Sequence, residues 1–93
     1  MNGHVPVLVT TSFRGVFFGW LPNKADRTQR SLTLLNCRNA IYWAGKAGFL
    51  GLAATGPERD SRIGATAPSV LLHEVTSLAE VSPEAAKVWT DWK

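Results

Sequence analysis

Val5-Pro6-Val7-Leu8-Val9-Thr10-Thr11-Ser12-Phe13-Arg14-Gly15-Val16-Phe17-Phe18-Gly19-Trp20-Leu21 decides the fold class. Residues 5–12 are rich in β-branched types and read as a strand. Pro6 has no amide hydrogen to give a ladder, which places the start of that strand at a sheet edge. Phe13-Arg14-Gly15 is short enough for a tight hairpin turn. Residues 16–21 form the returning strand, with Val16, Phe18 and Trp20 on one face by period-two alternation. Gly19 inside that strand marks a bulge or a close backbone approach.

Outward from the hairpin, residues 22–30 carry four charges and no large apolar group, so they read as a solvated loop. Residues 31–36 form a third strand with Leu32 and Leu34 inward, and residues 38–44 a fourth, with Asn36-Cys37 as a bend or bulge between them. A turn at 45–48 leads to residues 49–54, a brief apolar run that periodicity leaves open between helix and strand. Residues 58–69 read as a polar loop and 70–79 as one long last strand.

The C-terminus is helical. Ser82 is an N-cap, Pro83 suits the first helical position and Glu84 opposes the positive end of the helix. Ala85, Val88, Trp89 and Trp92 form one apolar stripe. This helix is too short to persist alone in water, so its tryptophans are either a lid on the sheet, which we favour, or an oligomer contact. The expected architecture is a single domain over 1–93, mainly β (α+β): an antiparallel twisted sheet or small open barrel with a C-terminal helix.

Composition bounds function. Hydrophobic residues make up 45% and charged residues 18% of 93 residues, a globular balance rather than a disordered one. Nine aromatics, four of them Trp, are a large load for so small a core. This suggests that Phe17, Trp20, Trp89 and Trp92 serve contacts between copies in a homo-oligomer. One cysteine forms no internal disulfide, and no signal or membrane-length apolar segment is evident, so the expectation is a cytoplasmic protein without membrane attachment. Residues 1–62 hold eight basic and three acidic groups, whereas 63–93 hold two and four. That moderate positive field attracts anions but lacks the dense basic stripe of a duplex nucleic-acid binder.

Catalytic constellations are absent from the pattern. His4, His73 and Cys37 lack metal-ligand spacing, so neither metal nor cofactor is expected. Cys37 reads as a buried thiol, and Glu58 with Asp60 as solvated loop acids. Gly51 and Gly56 share the glycine spacing of a phosphate-binding loop, but Pro57-Glu58 stands where Lys-Ser/Thr is required. Thr55, Gly56, Arg59, Ser61 and Arg62 offer hydroxyls, a glycine and two guanidiniums suited to phosphate oxygens. Arg14, and Arg38 ahead of Tyr42-Trp43, add charge beside aromatic faces.

These nine residues define a candidate site for a small nucleotide-like anion in a non-enzymatic protein. Loss of Arg38 or Arg62 is expected to weaken capture without unfolding. Two alternatives are inhibition of another protein through an exposed apolar patch and weak binding of single-stranded nucleic acid.

Gly15-Val16-Phe17-Phe18-Gly19, then Leu34-Leu35-Asn36-Cys37-Arg38-Asn39-Ala40-Ile41-Tyr42-Trp43, then Leu52-Ala53 with Gly56, resemble a small uncharacterised family of tailed phages and prophages, a domain of unknown function. The resemblance spans roughly residues 7–88, with a longer loop after Leu21 here. It implies a phage accessory protein. Such proteins often disarm host defences, by sequestering nucleotide signals in pockets between identical subunits or by plugging a host protein's surface. On that reading the chain acts in the host cytoplasm.

Overall fold

The computed structural model describes residues 2–44 and 46–93. Strand β1 (His4–Thr11) and strand β2 (Gly15–Pro22) form the expected hairpin. They are joined by one 3-10 turn over Ser12–Arg14, in which Phe13 and Arg14 both take positive φ, 63° and 64°. Strand β3 (Leu32–Tyr42) follows, then a short helix α1 (Gly51–Ala54), β4 (Arg62–Ile63), β5 (Ala67–Leu72), β6 (Val75–Glu80) and α2 (Pro83–Asp91). The sheet is antiparallel throughout, in the order β4-β3-β2-β1-β6, with β5 also on β3.

Several expectations change in the structure. The third and fourth strands are one strand, because Asn36 (φ 48°) absorbs an extra residue as a bulge and pairing continues beyond it. Asparagine tolerates that left-handed conformation better than most residues. The 58–69 loop contains β4 and the start of β5. The single strand 70–79 is two strands, broken at His73-Glu74, where Glu74 has φ 55°. The apolar run 49–54 yields helix α1, and the turn at 45–48 includes Gly45, which lies outside the described residues.

β1 is a central strand between β2 and β6 rather than an edge. Pro6 is accommodated because pairing with β6 begins only at Val7. Gly19 does mark a close approach, since a Cβ there would sit 2.7 Å from Leu34 Cβ.

β5 lies on the outer side of β3 and β6 on the outer side of β1, yet only His73 and Glu74 separate them. Three peptide steps reach about 11 Å at most, so the sheet must curl until its two edges meet at this corner. The corner is held by backbone bonds from Ser12 N to Glu74 O (3.1 Å) and from Val75 N to Arg30 O (2.9 Å).

The curled sheet is apolar on both faces. Val7, Val9, Leu21, Leu32, Leu34, Cys37 and Leu72 fill one side. Leu8, Val16 and Phe18 on the other are covered by Leu52 and Ala53 of α1 and by Ala85, Ala86 and Trp89 of α2. Burial of β1 on both faces explains its unbroken Val-Leu-Val run. Trp89 is the lid: fully buried, its ring stacks on Phe18 at 5.2 Å and its indole N–H donates to Leu52 O (3.0 Å). Among the described residues no helix is long and apolar enough to cross a membrane.

Candidate functional site: the open end of the sheet

The sequence-derived site residues separate into two groups, one committed to the fold and one exposed. Arg38 is 7% exposed. Its Nε donates to Gly64 O (2.8 Å) and its Nη1 to Trp89 O (2.9 Å) and Trp92 O (2.7 Å). The guanidinium thus ties the last carbonyls of α2 to β3 and to the loop before β5. A cation at a helix C-terminus also complements the macrodipole. As a ligand-binding residue Arg38 is therefore corrected to a structural one.

Ser61 is buried and its Oγ accepts from Ala44 N (3.3 Å). Thr55 Oγ1 donates to Gly51 O (3.1 Å). Gly56 sits at φ 91° directly beneath Val88. These two residues end α1 and pack it under α2, so they form no phosphate cradle. Trp89, expected at an interface, is sealed within the protomer, and Phe17 packs against the inner core. Trp20 and Trp92 are half-buried.

The second group gathers where the sheet runs out. Tyr42 pairs with Arg62 across β3 and β4. Beyond them the chain segments stay side by side, with Ala44 N donating to Ser61 Oγ (3.3 Å) and Lys46 N to Glu58 Oε2 (3.0 Å). Arg59 stands exposed in the connecting turn. Trp43 turns inward, edge-on to Phe49 at 6.2 Å, and packs against the helix-covered core. The register of β2 on β3 pairs Phe17 with Asn39. Gly15 and the Phe13-Arg14 turn therefore come to the same end as Ile41 and Tyr42.

This end is greasy and of mixed charge with a basic excess: Arg14, Lys46, Arg59 and Arg62 stand with Glu58 and Asp60, and Glu74 is bonded to Ser12 beside the turn. Phe13 is 95% exposed, Ile41 59% and Tyr42 56%. Among the described residues Arg14, Lys46, Arg59 and Arg62 make no ion pair. The ion pairs of Arg27 with Glu80 (3.8 Å) and Lys87 with Asp91 (3.1 Å) lie elsewhere. The grooves beside α2 and near Leu50 are lined by none of these cations.

Sequence reasoning missed Phe13, Ile41 and Lys46. A lone phenylalanine beside an arginine in a tight turn was the available signal for Phe13. Exposure of Ile41 depends on where β3 outruns its neighbours, which no local pattern encodes.

Other chemistry-bearing groups are scattered. Burial raises the Cys37 thiol to about 11, well away from nucleophilic use at neutral pH. Ser31 Oγ lies 3.2 Å from His73 Nδ1, both exposed. Among the described residues no three His, Cys, Asp or Glu side chains gather as metal ligands.

Residues 4–89 match the family model of a domain of unknown function, DUF6948. No curated protein and no solved structure matches the chain.

Proposed function

We propose that this chain, which belongs to the DUF6948 family, is a non-enzymatic binding protein that docks the open end of its sheet on an acidic protein surface. The carrying observation is the exposure of Phe13, Ile41 and Tyr42 together with four cations that make no ion pair among the described residues. Aromatic residues and arginine are enriched where proteins recognise one another, and interface hot spots favour tyrosine and arginine. Burial of Cys37, which raises its thiol to about 11, supports a role without thiol catalysis. The sequence resemblance described above supports a phage accessory protein acting on a host defence component.

A second reading, capture of a nucleotide-like anion between copies, draws on the Tyr42–Arg62 pairing. An exposed aromatic face beside a guanidinium suits a base and its phosphate.

Photocrosslinking tests the first reading. Benzoylphenylalanine in place of Tyr42, with the chain expressed in host cells, is expected to give one discrete protein adduct. The same group in place of exposed Thr33 gives none. Equal adducts from both positions, or none from Tyr42, overturn the proposal. Titration calorimetry with cyclic and linear nucleotides separates the second reading, which requires saturable heats.

A further inference from the structure

Among the described residues, four that are not glycine take positive φ: Phe13 (63°), Arg14 (64°), Asn36 (48°) and Glu74 (55°). Asparagine suits that conformation, but phenylalanine, arginine and glutamate are strained in it. Those three meet at a single place. Ser12, at the base of the hairpin turn, bonds Glu74 twice, through its amide to Glu74 O (3.1 Å) and through its hydroxyl to Glu74 Oε2 (2.7 Å). Tight hairpin turns fill left-handed positions with Asn, Asp or Gly. Here the glycine comes one residue later, at Gly15, where φ is −66° and no such freedom is used. It is needed there for space, because a Cβ would collide with the Thr11 side chain. The turn thus forgoes the residues that would relax it and holds Phe13 95% exposed at its tip.

Disfavoured backbone persists where the surroundings over-determine it, and it gathers at ligand clamps and switch regions. We infer that Phe13 is the anchor of the docking end, a preorganised ring that enters an apolar pocket on the partner protein, with Arg14 set to meet a carboxylate at the pocket's rim. This rests on the docking reading above and adds which residue carries it and what receives that residue. A ring bare on nearly all sides is recovered from water only by a concave receiver, which a small ligand does not provide. Arg14 makes no ion pair among the described residues, and its place beside Phe13 sets where the partner's acid must lie. Glu58, Asp60 and Glu74 stand at the same end and oppose an anionic lipid surface, so a protein pocket is the favoured receiver. A turn already fixed by the Ser12–Glu74 bonds loses little freedom on contact, which lowers the ordering cost of association.

Two readouts on the full chain test this together. Phe13→Asn with Arg14→Gly supplies residues suited to the turn and removes the ring. Its melting temperature is expected to rise by about 3 °C or more. The photocrosslink from benzoylphenylalanine in place of Tyr42 is expected to fall in the same variant by about tenfold or more. Phe13→Ala keeps the strained backbone, so it lowers the crosslink without the gain in melting temperature, and Phe13→Tyr keeps the ring and retains most of the yield. A relaxed turn that melts no higher than wild type overturns the inference. Undiminished adducts from Phe13→Ala overturn it too, and leave the docking reading in place. Absence of any adduct from the chain with its native tip defeats both. Sedimentation with phosphatidylglycerol vesicles is expected to leave the protein in the supernatant. Co-sedimentation that Phe13→Ala abolishes points to a lipid surface and overturns the inference.

Discussion

Replacing Arg38 with alanine removes three hydrogen bonds at once, to the carbonyls of Gly64, Trp89 and Trp92. Charge-assisted bonds of this kind contribute more than neutral ones, and orphaned buried acceptors add a desolvation cost, so a loss of about 3 kcal/mol is expected. Urea unfolding of Arg38→Ala measures it, and an unchanged midpoint would remove the structural role. Arg38→Lys is expected to rescue little, since an ammonium lacks the fork that reaches three carbonyls.

At the opposite end of β3, Asp26 accepts bonds from the hydroxyl and amide of Thr28 and from the Gln29 amide. Mainly through the Thr28 bonds, its carboxyl is lowered from 3.8 to about 2. A depressed carboxylate stabilises the fold above its unfolded value and loses that contribution as pH falls through the folded one. The loop is therefore expected to loosen between about pH 4 and pH 2. Carboxyl NMR should show Asp26 titrating near 2, and a midpoint near 3.8 would contradict the bonding.

At the scale of elements, α2 rests on two local devices. Ser82 Oγ accepts from Ala85 N (3.0 Å) and donates to Ala54 O (2.8 Å), so it caps α2 and fastens it to the end of α1. Ser82→Ala is expected to cost about 1 kcal/mol, read from thermal unfolding. Gly56→Ala should cost more, because φ is 91° and the new Cβ would lie 2.8 Å from Val88 Cβ. Gly3→Ala isolates the backbone component, since φ is 75° and nothing lies within 4 Å. Equal losses at Gly56 and Gly3 would show that packing under α2 is unimportant.

These elements also mark how far the sequence could be read. The hairpin and α2 were legible because alternation, Ser82 and Pro83 act within a few residues. The Asn36 bulge was legible because asparagine is suited to its φ. The corner at His73-Glu74 was not: neither residue announces a turn, and the break is imposed by long-range bonds to Ser12 and Arg30. Arg38 misled for a related reason. Its position beside Tyr42-Trp43 suggested a ligand site, whereas its carbonyl partners come from residues 26 to 54 positions away.

For the whole molecule, the curl of the sheet separates two kinds of surface. Leu32 and Leu72 are buried beside the β5–β6 corner, which Ser12 and Arg30 fasten, whereas Phe13, Ile41 and Tyr42 stay outside at the open end with cations that make no ion pair among the described residues. If that end is the binding surface, the location of charge matters rather than its total. Arg59→Ala with Arg62→Ala removes two cations there, and Lys24→Ala with Arg30→Ala removes two from the loop before β3. The most direct measurement is the yield of the Tyr42 photocrosslink in these two double variants. The account predicts a fall of about tenfold or more for Arg59 and Arg62, and less than about twofold for Lys24 and Arg30. Equal falls in both, or no fall in the first, would contradict it.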